Sequence, residues 1–271
     1  MNIVSFSGGR TSAYMCKVLL DLYPRNELEF IFMDTGAEHP KTYEFIKNCD
    51  KHFGLNLKVL KPIVNPEMGK GMDYKIITTN EMGWDLSVMK SLVIKYGTFD
   101  YLNAICTTML KTRTASKYLS KYNKKEITQW IGIRIDEKRR LKDKKGFKYL
   151  AEVSNMEKSD IIQWWSEQEF NLELDQHLGN CIFCVKKNVN YIGLAQKDEP
   201  ELFHEWSEMI ASARQRTEYD KNAIYRGKVT PSGIIEMYKD FTYQEMKQQL
   251  RMYKDKTVCS DSCEAYQMEL F

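Results

Sequence analysis

The chain has 271 residues and a formal net charge of +3, with 28% of its positions charged. That length builds one large or two small domains around a sizeable core, and so small a charge does not by itself argue for nucleic acid or membrane. No apolar run approaches the ~20 residues that span a bilayer, the N-terminus lacks the long apolar stretch of a signal peptide, and seven cysteines, an odd number, suit reduced thiols in a cytoplasmic protein better than a disulfide framework.

In chain order, Asn2-Ile3-Val4 is apolar and β-branched and predicts a buried strand over 2–6. Met15, Val18, Leu19 and Leu22 fall at helical spacing, and Pro24 closes a helix over 12–22. Between them lies Ser5-Phe6-Ser7-Gly8-Gly9-Arg10-Thr11-Ser12. A Gly-rich turn between strand and helix aims backbone amides and the positive end of a helix dipole at one point, where a phosphate is the usual occupant. The turn has neither the lysine of a Walker loop nor a G-x-G-x-x-G fingerprint. A purely structural tight turn is the alternative. A strand over 28–33, a helix over 40–53 and a strand over 57–60 complete two βαβ units, which predicts an α/β fold with a doubly wound parallel sheet.

The segment FMDTGAEHPKTYEF (32–45) sits at the C-terminal end of the second strand, where such sheets place ligands. Asp34 and Glu38 are candidates to hold Mg2+ or a ribose hydroxyl, and Gly36 lets the backbone pass close to a base. Asp-Thr-Gly alone is also a plain turn, or a protease signature that the α/β context and the lack of a second copy disfavour. Residues 65–103 look irregular, an insertion or lid-like segment. A helix over 107–120 and a strand over 127–133 return to the sheet. The basic run KRRLKDKK (138–145) is either a solvated loop or a contact for a polyanion such as nucleic acid. A helix follows at 158–168, and the chain beyond 185 reads as mostly helical. A nucleotide-binding part over 1–155 and a helical, cysteine-containing part over 156–271 is the expected division, with no Pro/Gly/Ser linker to mark it.

Cys16 and Cys49 fall at core positions of their helices. Cys181 and Cys184 form a C-x-x-C, whose thiols converge on one point and suit a metal, an iron–sulfur cluster or a redox pair. A four-coordinate site needs two further ligands. Cys106, Cys259 and Cys263 are available, and His177 is a candidate for a zinc site.

The first turn resembles the PP-loop of the ATP-pyrophosphatase and phosphoadenylyl-sulfate (PAPS) reductase superfamily, with Arg10-Thr11 where the typical string has Lys-Asp. An arginine still grips phosphate, and bidentately. Asp34-Thr35-Gly36-x-Glu38, the Gly-x-Arg-x-x-Glu-x-x-Arg of WIGIRIDEKRRL (130–141), CTTMLK (106–111) and KSDIIQWWSEQEFNLELDQHLGNCIFC (158–184) are similar to later segments of that family, in family order.

The resemblance implies a doubly wound α/β fold with a mostly helical C-terminal part. It also implies an adenine nucleotide, ATP or PAPS, held by Ser5, Ser7, Gly8, Gly9, Arg10, Thr11, Ser12, Asp34, Thr35, Gly36, Glu38, Arg134 and Arg140. Among these Arg10, Asp34 and Arg134 are the candidate catalytic residues. It further implies a 4Fe-4S cluster on Cys106, Cys181, Cys184 and Cys263, ahead of Cys259, with zinc on the same residues as the alternative. The expected chemistry is Mg2+-assisted attack on the α-phosphate of ATP, giving pyrophosphate and AMP or an adenylate, coupled to sulfur transfer. Reduction or transfer of the PAPS sulfonyl group is the runner-up, although the C-terminal Glu-Cys-Gly string of assimilatory reductases is absent. Partners consistent with this are a sulfur-donor protein, a tRNA or DNA substrate and a second copy of the chain. The rivals of another class are a nucleotide sensor with a structural metal, and a nucleic-acid-binding factor using 138–145 and 204–228, which includes Trp206, Arg214, Arg216, Tyr219 and Arg226.

Overall fold

The computed structural model describes residues 1–214 and 223–254. Six strands form one sheet: β1 (Asn2–Ser5), β2 (Leu28–Met33), β3 (Lys58–Val64), β4 (Met72–Ile77), β5 (Thr128–Ile131) and β6 (Phe147–Tyr149). Their spatial order is β4-β3-β2-β1-β5-β6, and every neighbouring pair is parallel except β3–β4. The helices are α1 (Arg10–Leu22), α2 (Pro40–Phe53), α3 (Ser87–Tyr96), α4 (Thr114–Leu119), α5 (Lys158–Ser166), α6 (Val189–Asp198), α7 (Pro200–Ala211), α8 (Pro231–Tyr238) and α9 (Tyr243–Lys254). The doubly wound α/β architecture expected from the strand–helix alternation is the one observed.

The alternation of side chains across the pleat explains why the sheet is covered on both faces. Val4, Phe30, Phe32, Val59 and Trp130 belong to a core shared with α1, α2 and α5. Ile3, Ile31, Met33 and Leu60 point to the opposite core, with Ala115, Tyr118 and Leu119 of α4. A third core joins Ala37, α3 and Met109-Leu110 to Ile182, Phe183, Phe203, Trp206 and the C-terminal helices.

Two stretches differ from expectation. Residues 65–103 are not irregular: they supply β4, an antiparallel edge strand hydrogen-bonded to β3, and then α3. The helix expected over 107–120 begins as a π-helix, Thr107–Arg113, and becomes α only at Thr114. Cys16 and Cys49 are fully buried in the core, as their spacing implied.

Candidate functional site

β1 lies between β2 and β5, so the chain leaves β1 toward one side of the sheet and returns on the other. This is the topological switch point, where the loops leaving neighbouring strand ends separate and open a crevice. Three segments border it: Phe6–Gly9 after β1, Asp34–His39 after β2 and Gly132–Glu137 after β5.

The first turn is tight and has no side-chain cap. Gly9 is the N-cap of α1, and no side chain caps the opening amides of the helix. Gly8 has φ +84°, and a Cβ there would sit 3.0 Å from Ile46 Cδ1 and Thr42 Cγ2 of α2. The serines shape the loop from inside. Ser12 Oγ donates to Gly9 O (3.0 Å), accepts from the Ser7 amide (3.1 Å) and lies 2.8 Å from Ser7 Oγ. Ser5 is buried at the end of β1.

Three predicted cations are found in intramolecular partnerships. Arg10 donates from Nε to Asn171 Oδ1 (2.8 Å) and from Nη2 to the Leu172 carbonyl, and its own carbonyl accepts from Trp165 Nε1 (2.9 Å). Burial lowers its pKa. Arg134 makes a bidentate pair with Asp136 (2.9 and 3.1 Å) and donates from Nη1 to Thr11 Oγ1 (3.1 Å), which brings it to the first turn of α1. Gly132 allows that approach, since a Cβ there would lie 3.1 Å from Ser12 Cα. Arg140 pairs with Glu137, which also reaches the Arg134 amide (3.1 Å).

The β2 loop is buried throughout. Asp34 Oδ1 accepts from the Gly36 amide (3.0 Å) and Tyr43 Oη (3.1 Å), while its Oδ2 is buried without a protein partner. Burial, then the nearby Glu38, raise the Asp34 pKa from its usual 3.8 to about 6. Thr35 Oγ1 donates to Glu38 Oε2 (3.1 Å), and Lys111 Nζ stands 3.4 Å from Glu38 Oε1. Gly36 has φ +77°, and a Cβ there would come within 1.9 Å of the Asp85 carbonyl. The Asp85 amide in turn donates to Gly36 O (2.9 Å), and Asp85 pairs with Lys61 (2.6 Å). On the side where a Gly36 side chain would stand, the loop passes close to the backbone at Asp85.

The same loop touches the cysteine segment. Glu38 forms a β-bridge with Cys181, and the Ile182 amide donates to Ala37 O (3.0 Å). Burial first, and then Cys184, push Cys106 up to about 12; burial, Cys184, Glu38 and Cys106 push Cys181 well above its usual value. Among the described residues, no group of three or more His, Cys, Asp or Glu is arranged to hold a metal ion. Cys259 and Cys263 lie outside the described residues. His177 pairs through Nε2 with Asp198, and Lys187 Nζ donates to the carbonyls of His177 and Ile182 (both 2.8 Å). Trp206 is buried in the core, which removes it as a stacking surface, and Arg216 and Tyr219 lie outside the described residues.

Lys61 and Tyr43 border the site without having been named as candidates from the sequence; Lys111 and Gly132 lay inside the CTTMLK and Gly-x-Arg segments but were given no role there.

An uncharacterised nin-region protein, ORF290, of Escherichia phage lambda is 42% identical over 277 residues, covering 98% of this chain and 95% of that one. A phosphoadenosine 5'-phosphosulfate reductase of Thiocapsa roseopersicina is 37% identical over 65 residues, 24% of this chain and 26% of that one. The crystal structure of a phosphoadenylyl-sulfate reductase from Candida auris, a phosphate complex, superposes with a TM-score of 0.38 at 13% identity, over 61% of this chain and 71% of that one. The phosphoadenosine phosphosulfate reductase domain matches residues 1–178, and the chain belongs to that family.

Proposed function

We propose that the crevice at the β1/β5 switch point binds an adenine nucleotide, and that the chain cleaves ATP at its α-phosphate in the service of sulfur transfer. The observation that carries this reading is the uncapped start of α1 behind Gly8 and Gly9, lying where a doubly wound sheet opens. A phosphate there accepts from the helix amides and gains from the dipole. Arg134 supplies a cation at Thr11, and Arg10 braces the turn from the Asn171 side.

Asp34 and Glu38 fit Mg2+: an orphaned, buried carboxylate oxygen on Asp34 gains a partner when a cation arrives, and Glu38 lies beside it in charge terms. Mg2+, when bound, neutralises charge on the phosphate oxygens. Water or a substrate oxygen forms a bond to the α-phosphorus, the bond to the bridging oxygen breaks, and pyrophosphate leaves with that electron pair. The attacking oxygen's proton passes to solvent. The chain's share is positioning and charge complementarity.

Cys106, Cys181 and Cys184, with Cys263 as the fourth, are the ligands to test for a 4Fe-4S cluster or zinc; the electrostatic influence of Cys184 on Cys106 and Cys181 supports that reading, although the described residues alone form no metal-holding group. The Glu38–Cys181 bridge favours a second reading, in which the thiolate of Cys181 attacks the PAPS sulfonyl sulfur and adenosine bisphosphate leaves. The raised pKa of Cys181 weighs against it.

Calorimetry with ATP and PAPS, followed by an assay for AMP and pyrophosphate in equal amounts from labelled ATP, tests the proposal. Binding of ATP and release of both products is the expected result. No heat from either nucleotide at millimolar concentration overturns the reading.

A further inference from the structure

The connection from β5 to β6 concentrates positive charge. Residues 138–148 contain Lys138, Arg139, Arg140, Lys142, Lys144, Lys145 and Lys148 against the single acid Asp143, a net of +6, whereas the whole chain carries +3. The remainder of the molecule is therefore net negative.

This strip is held in shape. It opens with a 3-10 turn, Lys138–Arg140, in which the Arg140 amide donates to Glu137 O (2.8 Å). The Phe147 amide closes a turn on Lys144 O (3.0 Å), and the Gln129 amide holds Gly146 O (2.8 Å). Lys144 Nζ lies 4.5 Å from the Phe147 ring centroid and Lys148 Nζ 5.4 Å from that of Trp130. These contacts fix the stems of two lysines by cation–π attraction. Lys138, Arg139, Lys142, Lys145 and Lys148 are exposed.

The course of the strip matters as much as its charge. Because β6 runs parallel to β5, the chain leaves β5 at the crevice and travels along the sheet edge to the far end of β6. At the crevice end the strip is joined to the nucleotide turn through Arg140–Glu137, the Glu137–Arg134 contact and Arg134–Thr11. The neighbouring acids Asp136 and Glu137 are engaged by Arg134 and Arg140, so they do not oppose an incoming anion with free charge. None of the exposed large apolar side chains among the described residues lies in the strip. A protein-docking surface would be expected to carry such groups at its centre.

We propose that residues 138–148 bind the phosphodiester backbone of a nucleic acid and lead it to the β1/β5 crevice. The acceptor of the chemistry proposed above is then a nucleic acid. Binding by the strip stands on its own; delivery to the crevice rests on the reading of that crevice as a nucleotide site.

The test is fluorescence anisotropy with the full chain and labelled 15-nucleotide DNA and RNA single strands and a 15-base-pair duplex, at 50 to 200 mM NaCl. Contact with about five phosphates of a single strand predicts a log–log salt slope near −3.5 and about a hundredfold loss of affinity over that range. The triple variant Lys138→Glu/Arg139→Glu/Lys145→Glu is expected to weaken binding more than tenfold and flatten the slope by about 2. Its melting temperature and ATP affinity are expected to stay at the wild-type values. The three oligonucleotides rank DNA against RNA and single strand against duplex. No binding at 50 mM salt, a salt-independent affinity, an unaffected triple variant, or equal competition by a polyglutamate of the same length each overturns the proposal. If the oligonucleotide binds as expected while ATP gives no heat, the strip stands and delivery to a nucleotide site falls.

Discussion

Replacing Asp34 by Asn isolates the tension stored in the β2 loop. Asp34 is fully buried, one carboxylate oxygen has no protein partner, and its pKa is raised from 3.8 to about 6 by burial and by Glu38. Between those two values the folded chain holds a proton that the unfolded chain has released, so stability falls as pH rises across that window and stays low above it. A gap of about 2 pH units at 1.36 kcal/mol each corresponds to about 3 kcal/mol. Asn keeps an acceptor for the Gly36 amide and Tyr43 but carries no charge. In EDTA, Asp34→Asn is therefore expected to be about 2–3 kcal/mol more stable than wild type at pH 8, with the advantage largely gone near pH 4. Paired urea titrations at the two pH values measure it, and a difference at pH 8 no larger than that at pH 4 refutes the reasoning. The same variant is expected to lose AMP and pyrophosphate release, because a neutral amide is a poor Mg2+ ligand.

Gly36→Ala and Gly54→Ala both place a Cβ at positive φ, but only the first collides with backbone, at Asp85. Thermal melts are expected to show a loss of roughly 1 kcal/mol for Gly54→Ala and at least twice that for Gly36→Ala. Arg134→Gln removes the fork that joins Asp136 to Thr11, and calorimetry is expected to show at least tenfold weaker ATP binding; Arg134→Lys is not expected to rescue it, since a single ammonium does not reproduce the bidentate geometry. Cys181→Ser is expected to lower the iron and labile sulfide, or the zinc, of anaerobically purified protein while ATP affinity survives. Metal analysis alongside calorimetry checks both halves.

Much of the architecture was legible because short-range patterns set it. The short apolar runs of β1 and β2 and the Pro-bounded helices placed β1, α1, β2 and α2 within two residues, while β3 starts one residue after its expected 57 and runs four past its expected end at 60. β4 escaped because Met72–Ile77 follows a Gly-rich stretch and reveals itself only through antiparallel pairing with β3. The π-helical turn at Thr107–Arg113 has no distinct period in so short a segment. At the site, residue types were visible and their partners were not. Arg10 finds Asn171, 161 positions away, and His177 finds Asp198, pairings set by tertiary packing rather than by local spacing. The three arginines expected to grip the anion carry the right charge in the right loops, but in this structure each also has a partner within the protein: Asn171 for Arg10, Asp136 for Arg134 and Glu137 for Arg140.

The stitch from the Ile182 amide to the Ala37 carbonyl has a practical consequence for anyone trimming the chain. The family match stops at residue 178, four positions before that stitch. A fragment cut there would strip Ala37, Val88, Leu92, Met109 and Leu110 of Ile182, Phe183, Phe203 and Trp206, the side chains that share their core. Such a fragment is expected to bind hydrophobic dyes and to aggregate on concentration. The stretch that the family domain covers is shorter than the stretch that shares this core.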